Sequence, residues 1–169
     1  MNSTILILGA KATGDSGCAE TRPPAPLSAQ AAIDNRAAHR QGTGMFTNMI
    51  QVAIGGAIGS VLRYLTNVGA LRLMGPGFPW ATLTVNIVGS FLMGALVEVL
   101  AQKGGQRFAP FFLTGCLGGF TTFSAFSLDT VTLWNRGETA VALLYVGVSV
   151  LASLAALALA MHLLRGAFA

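Results

Sequence analysis

The groups in this chain that could do chemistry are concentrated in one stretch, Gly115-Cys116-Leu117-Gly118-Gly119-Phe120-Thr121-Thr122-Phe123-Ser124-Ala125-Phe126-Ser127. It lies in an apolar run from about residue 108 to residue 133, the length of a bilayer-spanning helix. Glycines and two adjacent threonines sit in the middle, where an unbroken span would carry Leu or Ile. Glycine in a helix interior costs roughly 1 kcal/mol relative to alanine, so the cluster predicts a break over residues 118–121. Backbone freed inside hydrocarbon survives only when it is buried in protein, lines water or coordinates an ion. The stretch therefore reads as an ionic site.

Other polar groups can be placed around it. Thr82, Asn86 and Ser90 are four residues apart, which stacks them on one helix face, and Tyr145, Ser149 and Ser153 repeat that spacing. With Thr122 and Ser124 they make a set of neutral donors, suited to an anion that must leave its water. Phe123 and Phe126 are three apart; a phenyl ring has a positive edge that can contact a small dehydrated anion. Core packing is the usual role of such a pair, and the adjacent hydroxyls and backbone break favour the ionic one here. Arg63 falls well inside an apolar segment, where a charge costs roughly 2.5–3.5 kcal/mol to insert. It either snorkels to an interface or forms the cationic mouth of an aqueous vestibule. Asp129 is the carboxylate nearest this lining, and Glu98 is close enough to the following loop to be solvated.

The elements that must position these groups follow from composition. The chain has 169 residues, 53% apolar and 9% charged, with mean hydropathy +0.66. Ordinary globular domains carry about 25% charged residues, so this is an all-α integral membrane protein. Four helices are predicted, at about residues 47–71, 80–101, 108–133 and 139–164. Gly55 and Gly59 form a small-xxx-small pair that lets helices approach closely, and Trp80 is an interfacial anchor. Residues 1–44 lack apolar periodicity and read as a disordered extension before a membrane domain at 45–169, with Met45 or Met49 as the expected natural start. Counted from Met45, Lys103, Arg107 and Arg165 fall on one side of the membrane and Arg72 and Arg136 on the other. So little bias allows insertion both ways, and hence an antiparallel homodimer.

Several classes are excluded. Without a basic run, nucleic-acid binding has no support. Cys18 and Cys116 are far apart in sequence and environment, giving no basis for a disulfide or a zinc site. An enzyme is not expected, since no nucleophile–base pair, phosphate loop or metal-ligand cluster is present.

Three motifs carry a resemblance: Gly55-Gly56-x-x-Gly59-Ser60-x-x-Arg63-Tyr64, Thr82-Leu83-x-x-Asn86-x-x-Gly89-x-Phe91, and Gly118-Gly119-Phe120-Thr121-Thr122-Phe123-Ser124-x-Phe126-Ser127. Together they resemble the Fluc/CrcB family of fluoride channels, from Met45 to about residue 164. The third motif is the specific one. The resemblance implies a fluoride-selective channel in the bacterial inner membrane, four helices per chain with the third broken, and an antiparallel dual-topology dimer with two fluoride pathways around a central structural sodium ion. It implies that backbone carbonyls of Gly118 and Thr121 hold the sodium. It also implies that Phe123, Phe126, Asn86, Thr82, Thr122, Ser149, Ser153 and Tyr145 line the fluoride pathway, with Arg63 at a vestibule. Passive efflux driven by the membrane potential would protect the cell from fluoride. The chain departs from the family pattern at Ala125, where Thr is usual, and at Asp129, where Glu is usual. The competing expectation is a small dual-topology exporter coupled to protons, for which Asp129 would be the available carboxylate.

Overall fold

The computed structural model describes residues 27–168, with side chains described from residue 44 to residue 167. Of the expected extension, residues 1–26, Cys18 among them, lie outside the described residues. Helix α1 (Leu27–Met74) begins within the stretch expected to lack regular structure; its alanine pairs Ala31-Ala32 and Ala37-Ala38 are strong helix formers, whatever the hydropathy pattern. It is followed by α2 (Trp80–Gln102), a 3₁₀ turn (Gln106–Phe108), a π-helical segment (Pro110–Leu117), the single turn α3 (Gly118–Phe120), α4 (Phe123–Asn135) and α5 (Thr139–Phe168). No strand occurs among the described residues. Four stretches are long and apolar enough to cross a bilayer, Gly44–Met74, Trp80–Gln102, Gln106–Asn135 and Thr139–Ala167. Each is somewhat longer than the sequence pattern suggested. The chain is a multi-pass, all-α membrane protein.

Short, glycine-closed turns make consecutive helices antiparallel neighbours. At the end of α4, Gly137 takes φ 82°, its N–H donates to Trp134 O at 2.9 Å, and the Glu138 N–H donates to Leu133 O at 3.1 Å. This paired arrangement satisfies carbonyls that a helix end leaves open, and its left-handed residue is nearly always glycine. Gly104 does the same after α2, with φ 67° and the Gly105 N–H donating to Leu100 O at 3.0 Å.

Helix α5 packs along α2 and also against α4. Their shared core contains Leu83, Phe126, Leu133, Ala142 and Tyr145, with Phe78, Ile87, Val141 and Val146 against it. The close approach of α2 to α5 is set by Gly94, where an added Cβ would lie 2.5 Å from Leu157 O. Near this point the sequence expectation for Glu98 needs correction. Glu98 is buried, not solvated, and its Oε1 accepts from Arg165 Nε at 2.6 Å. The sequence interval of 67 residues hid the pair; α5 runs back along α2 and brings its C-terminal arginine alongside.

Helix α1 meets the third span through glycines on both sides. A Cβ at Gly55 would strike Phe111 O, and one at Gly59 would strike Cys116 O. A Cβ at Gly115 would lie 3.0 Å from Val52 O, and one at Gly119 2.7 Å from Gly56 O. The small-xxx-small pair on α1 thus faces a second such pair, Gly115 and Gly119, and the two backbones touch.

Two stability predictions follow from this packing. Gly59→Ala should lower unfolding stability in detergent by about 1–3 kcal/mol through overpacking, while Gly147→Ala, which meets nothing within 4 Å, should cost nothing measurable in the same thermal assay. Arg165→Ala should destabilise more than the double variant Glu98→Gln/Arg165→Ala, because the single change leaves the buried Glu98 carboxylate without its partner. Equal losses in the two would mean that the pair contributes nothing.

Candidate functional site

The site is built on a two-residue interruption between α3 and α4. Thr121 (φ −78°, ψ 158°) and Thr122 (φ −153°, ψ 118°) are extended, while Gly118 is still helical. The interruption therefore falls on the two threonines, two to four residues beyond Gly118 and Gly119 at the start of the stretch where sequence placed it. The glycines go to close packing against α1 instead, and the helical turn survives there.

What allows extended backbone at this depth is one side chain of α2. The Thr122 N–H donates to Asn86 Oδ1 at 2.9 Å, and Asn86 Nδ2 donates to Thr122 O at 3.1 Å. The carboxamide pairs with the peptide as a neighbouring strand would. A buried amide or carbonyl left without a partner costs roughly 1–3 kcal/mol, so Asn86 offsets both halves of that cost at once. Thr122 then caps α4: its Oγ1 accepts from the Ala125 N–H at 3.2 Å and lies 3.2 Å from Ser124 Oγ.

These bonds redirect donors from specific carbonyls. In an unbroken helix the Thr122 N–H would close on Gly118 O, and the Ala125 N–H on Thr121 O. Here the first goes to Asn86 and the second to the Thr122 hydroxyl. Gly118 is open on its outer side, where an added Cβ would meet only Leu113 O at 3.7 Å.

Two cavities adjoin the interruption, and Thr122 lines both. The first, about 420 Å³, brings Asn86 and Ser90 of α2 together with Thr121, Thr122, Phe123 and Phe126, and with Ser149 and Ser153 of α5. Phe123 and Phe126 stand with centroids 5.5 Å apart at 42°. Phe126 is 9% exposed and anchored in the core, whereas Phe123 is 79% exposed. Ser153 Oγ is buried and has no hydrogen-bond partner. Ser149 Oγ lies against the Tyr145 hydroxyl without a well-formed hydrogen bond. Two hydroxyls so placed on one wall are donors held in reserve.

The second cavity, about 590 Å³, is lined by Arg63, Ser60 and Asn67 of α1 and by Thr82, Thr122, Ser124 and Asp129 among others. Sequence reading named Arg63 for a vestibule and Ser60 only within a motif, and passed over Asn67, although the intervals of three and four residues already placed both on the helix face of Arg63.

Two of the expected pathway residues are placed elsewhere than the rest. Thr82 and Tyr145 do not line the cavity of the phenylalanines. Both turn to Asp129: Thr82 Oγ1 donates to Oδ2 at 2.7 Å and Tyr145 Oη donates to the same oxygen at 3.3 Å. Tyr145 is wholly buried, its ring 5.4 Å from Phe126 and edge-on to Phe78 at 5.6 Å. Asp129 is thus a carboxylate held by hydroxyl donors at the wall of the Arg63 cavity.

Comparison with known proteins accords with this geometry. Residues 50–161 match the family described as "CrcB-like protein, Camphor Resistance (CrcB)". A protein of Cereibacter sphaeroides named fluoride-specific ion channel FluC is 62% identical over 122 residues, covering 72% of this chain and 98% of its own length. Proteins with the same name from Paracoccus denitrificans and Mesorhizobium japonicum are 60% and 52% identical over 120 and 119 residues, 71% and 70% of this chain and each 96% covered. All three are named as channels, not enzymes, and this chain is likewise no enzyme. With the matched region spanning all three motifs, the chain belongs to the CrcB family.

Proposed function

We propose that this protein is a fluoride-selective channel that lets the anion leave the cell passively. The observation that carries the reading is the cavity that brings buried serine hydroxyls without full partners together with two phenylalanines beside the Asn86–Thr122 clamp. A small anion that has shed water needs neutral donors and positive ring edges at fixed positions, and this wall supplies both. The fluoride-specific names of relatives up to 62% identical point to the ion. Chloride is too large and too weak a hydrogen-bond acceptor to replace its hydration on so few donors. Arg63, in the second cavity, raises the local anion concentration at a mouth.

The driving force needs no coupling. Hydrogen fluoride enters as a neutral acid and ionises in the less acidic cytoplasm; an inside-negative potential then favours exit by about 2.3 kcal/mol per charge per 100 mV. In the inner membrane of a bacterium this protects the cell.

The active unit in this reading is an antiparallel pair of copies joined around a structural sodium ion. The donor set suits that ion: carbonyls of Gly118 and Thr121 have lost their helical donors, and carbonyl oxygens are the hard ligands an alkali cation takes. Among the described residues no group of three His, Cys, Asp or Glu side chains converges, so a cation here would be held by neutral oxygens. Two carbonyls from one chain are too few for a complete shell, and a second copy would double them. A sodium ion held there would supply positive charge; the chain's own residues bind and pass the anion.

The decisive measurement is fluoride release from proteoliposomes held at a potassium potential. Valinomycin should trigger rapid fluoride release and no comparable chloride release; absence of release overturns the reading, and a requirement for a pH gradient would favour the coupled exporter instead. Phe126→Ile should cut the rate at least about tenfold, the loss of about 1.4 kcal/mol of stabilisation along the path, with the protein still folded. Asn86→Ala should abolish flux and destabilise the fold, since it strands both polar groups of Thr122. Ser153→Ala should leave stability unchanged and slow flux.

A further inference from the structure

We propose that the anion passes between the Arg63 cavity and the membrane surface through a third cavity, under the Gly75–Pro79 connection, with Arg136 as its outer recruiting group. The inference deepens the channel reading above and rests on it. In an antiparallel pair one such mouth opens on each face of the membrane.

The third cavity holds about 190 Å³, and its polar lining is Asn67 of α1, Thr82 of α2, and Asp129, Thr132 and Arg136 of α4. Asn67, Thr82 and Asp129, from three different spans, also line the Arg63 cavity, so the two cavities share a wall. Chain order places them in series. On α4 the Arg63 cavity takes residues from Thr122 to Asp129, and the third cavity takes them from Asp129 to Arg136. On α1 the division is Ser60 to Asn67, then Asn67 to Leu71. On α2, which runs the other way, Val85 lines only the Arg63 cavity and Trp80 only the third. All three helices agree that the third cavity is the outer one, ending where the spans end at Met74, Trp80 and Asn135. Thr122 lies near the middle of the span Gln106–Asn135. From Thr122 to Arg136 the helix climbs about 21 Å, at about 1.5 Å per residue. Half a bilayer with its headgroups is about 20–22 Å. The two cavities together are therefore long enough to join mid-membrane to water.

The charges along this route suit an anion. At the shared wall it meets Asp129, and a bare carboxylate would turn it back. Here Oδ2 already accepts from the hydroxyls of Thr82 and Tyr145. A guanidinium also lines the cavity on either side of that wall, Arg63 within and Arg136 without. Two cations at successive stations offset one acid. Arg136 is exposed, as a group that draws ions from bulk water must be. The roof is fixed in place. Phe78 of the connection packs against the core, edge-on to Tyr145 with centroids 5.6 Å apart. Gly75 takes φ 76°, the left-handed turn by which the chain leaves α1.

The experiment is fluoride release from proteoliposomes with ionic strength varied by a gluconate salt. Arg136→Gln should slow release about threefold or more at low salt, and the deficit should fade as salt screens the charge. Arg136→Lys should keep the unaltered rate. A second variant tests the route sterically: Thr132→Cys with Cys18→Ser and Cys116→Ala, labelled in detergent by a methanethiosulfonate bearing either a sulfonate or a trimethylammonium group. The sulfonate should slow release at least about tenfold, and more than the cationic label does, since it adds repulsion to bulk. Leu73→Cys in the same background, 84% exposed near the same end of α1 and outside the cavity, should release normally after either label. A deficit in Arg136→Gln that ignores salt, no deficit at all, a thiol at Thr132→Cys that resists labelling, or equal losses from both labels overturns the proposal. Failure of the channel reading would show separately, as no release from the unaltered protein.

Discussion

Everything at the centre of this protein depends on one carboxamide replacing a strand. A polypeptide can leave helical geometry inside hydrocarbon only if another group takes both its amide and its carbonyl. Asn86 does so for Thr122 with a donor and an acceptor on one planar head, at 3.1 and 2.9 Å. Gln would hold the same groups one methylene further from the helix axis, and Asp would offer an acceptor without the donor. The position requires both the chemistry and the reach of asparagine.

The clamp works because the helices carrying its two halves are held at short range. On one flank, Gly89 of α2 lets Thr121 approach, since a Cβ there would overlap the threonine methyl. On the other, Gly55, Gly59, Gly115 and Gly119 bring the backbones of α1 and the third span into contact. Lipid gives no hydrophobic reward for helix association, so contact area and polar bonds must carry it. Glycine provides the first and the Asn86–Thr122 pair the second. The π-helical segment Pro110–Leu117 lies in the same region, and such widened turns tend to occur near functional sites.

Much of this was legible in the residues. Four apolar runs of sufficient length give four spans, because in a bilayer hydropathy and length leave few alternatives. The face shared by Asn86 and Ser90, and that shared by Ser149 and Ser153, follow from intervals of four, and the structure brings the two faces to one cavity. What periodicity could not reveal was which helix each face would meet. Thr82 and Tyr145 share the faces of Asn86 and Ser149, yet they find Asp129, because α4 begins afresh at Thr122 and its rotation is set by the cap there. Glu98 likewise resembled a loop-side acid until α5 brought Arg165 to it. In each case the missing term was long-range pairing between polar side chains, which leaves no local signature.

On the proposed reading the same interruption serves ions of both signs, because a peptide has two ends. Redirecting the Thr122 N–H to Asn86 releases the carbonyl of Gly118; capping α4 with Thr122 releases that of Thr121. Those oxygens carry negative partial charge and suit a cation. The groups across the clamp, Ser149 and Ser153 with the phenyl edges of Phe123 and Phe126, carry positive partial charge and suit an anion. A continuous helix would have cancelled the first set internally. On the proposed reading, cation and anion therefore do not compete for ligands, and neutral groups suffice for both. Full charges at such a site would bind one ion too firmly to release it, whereas conduction needs each hold to be weak and repeated.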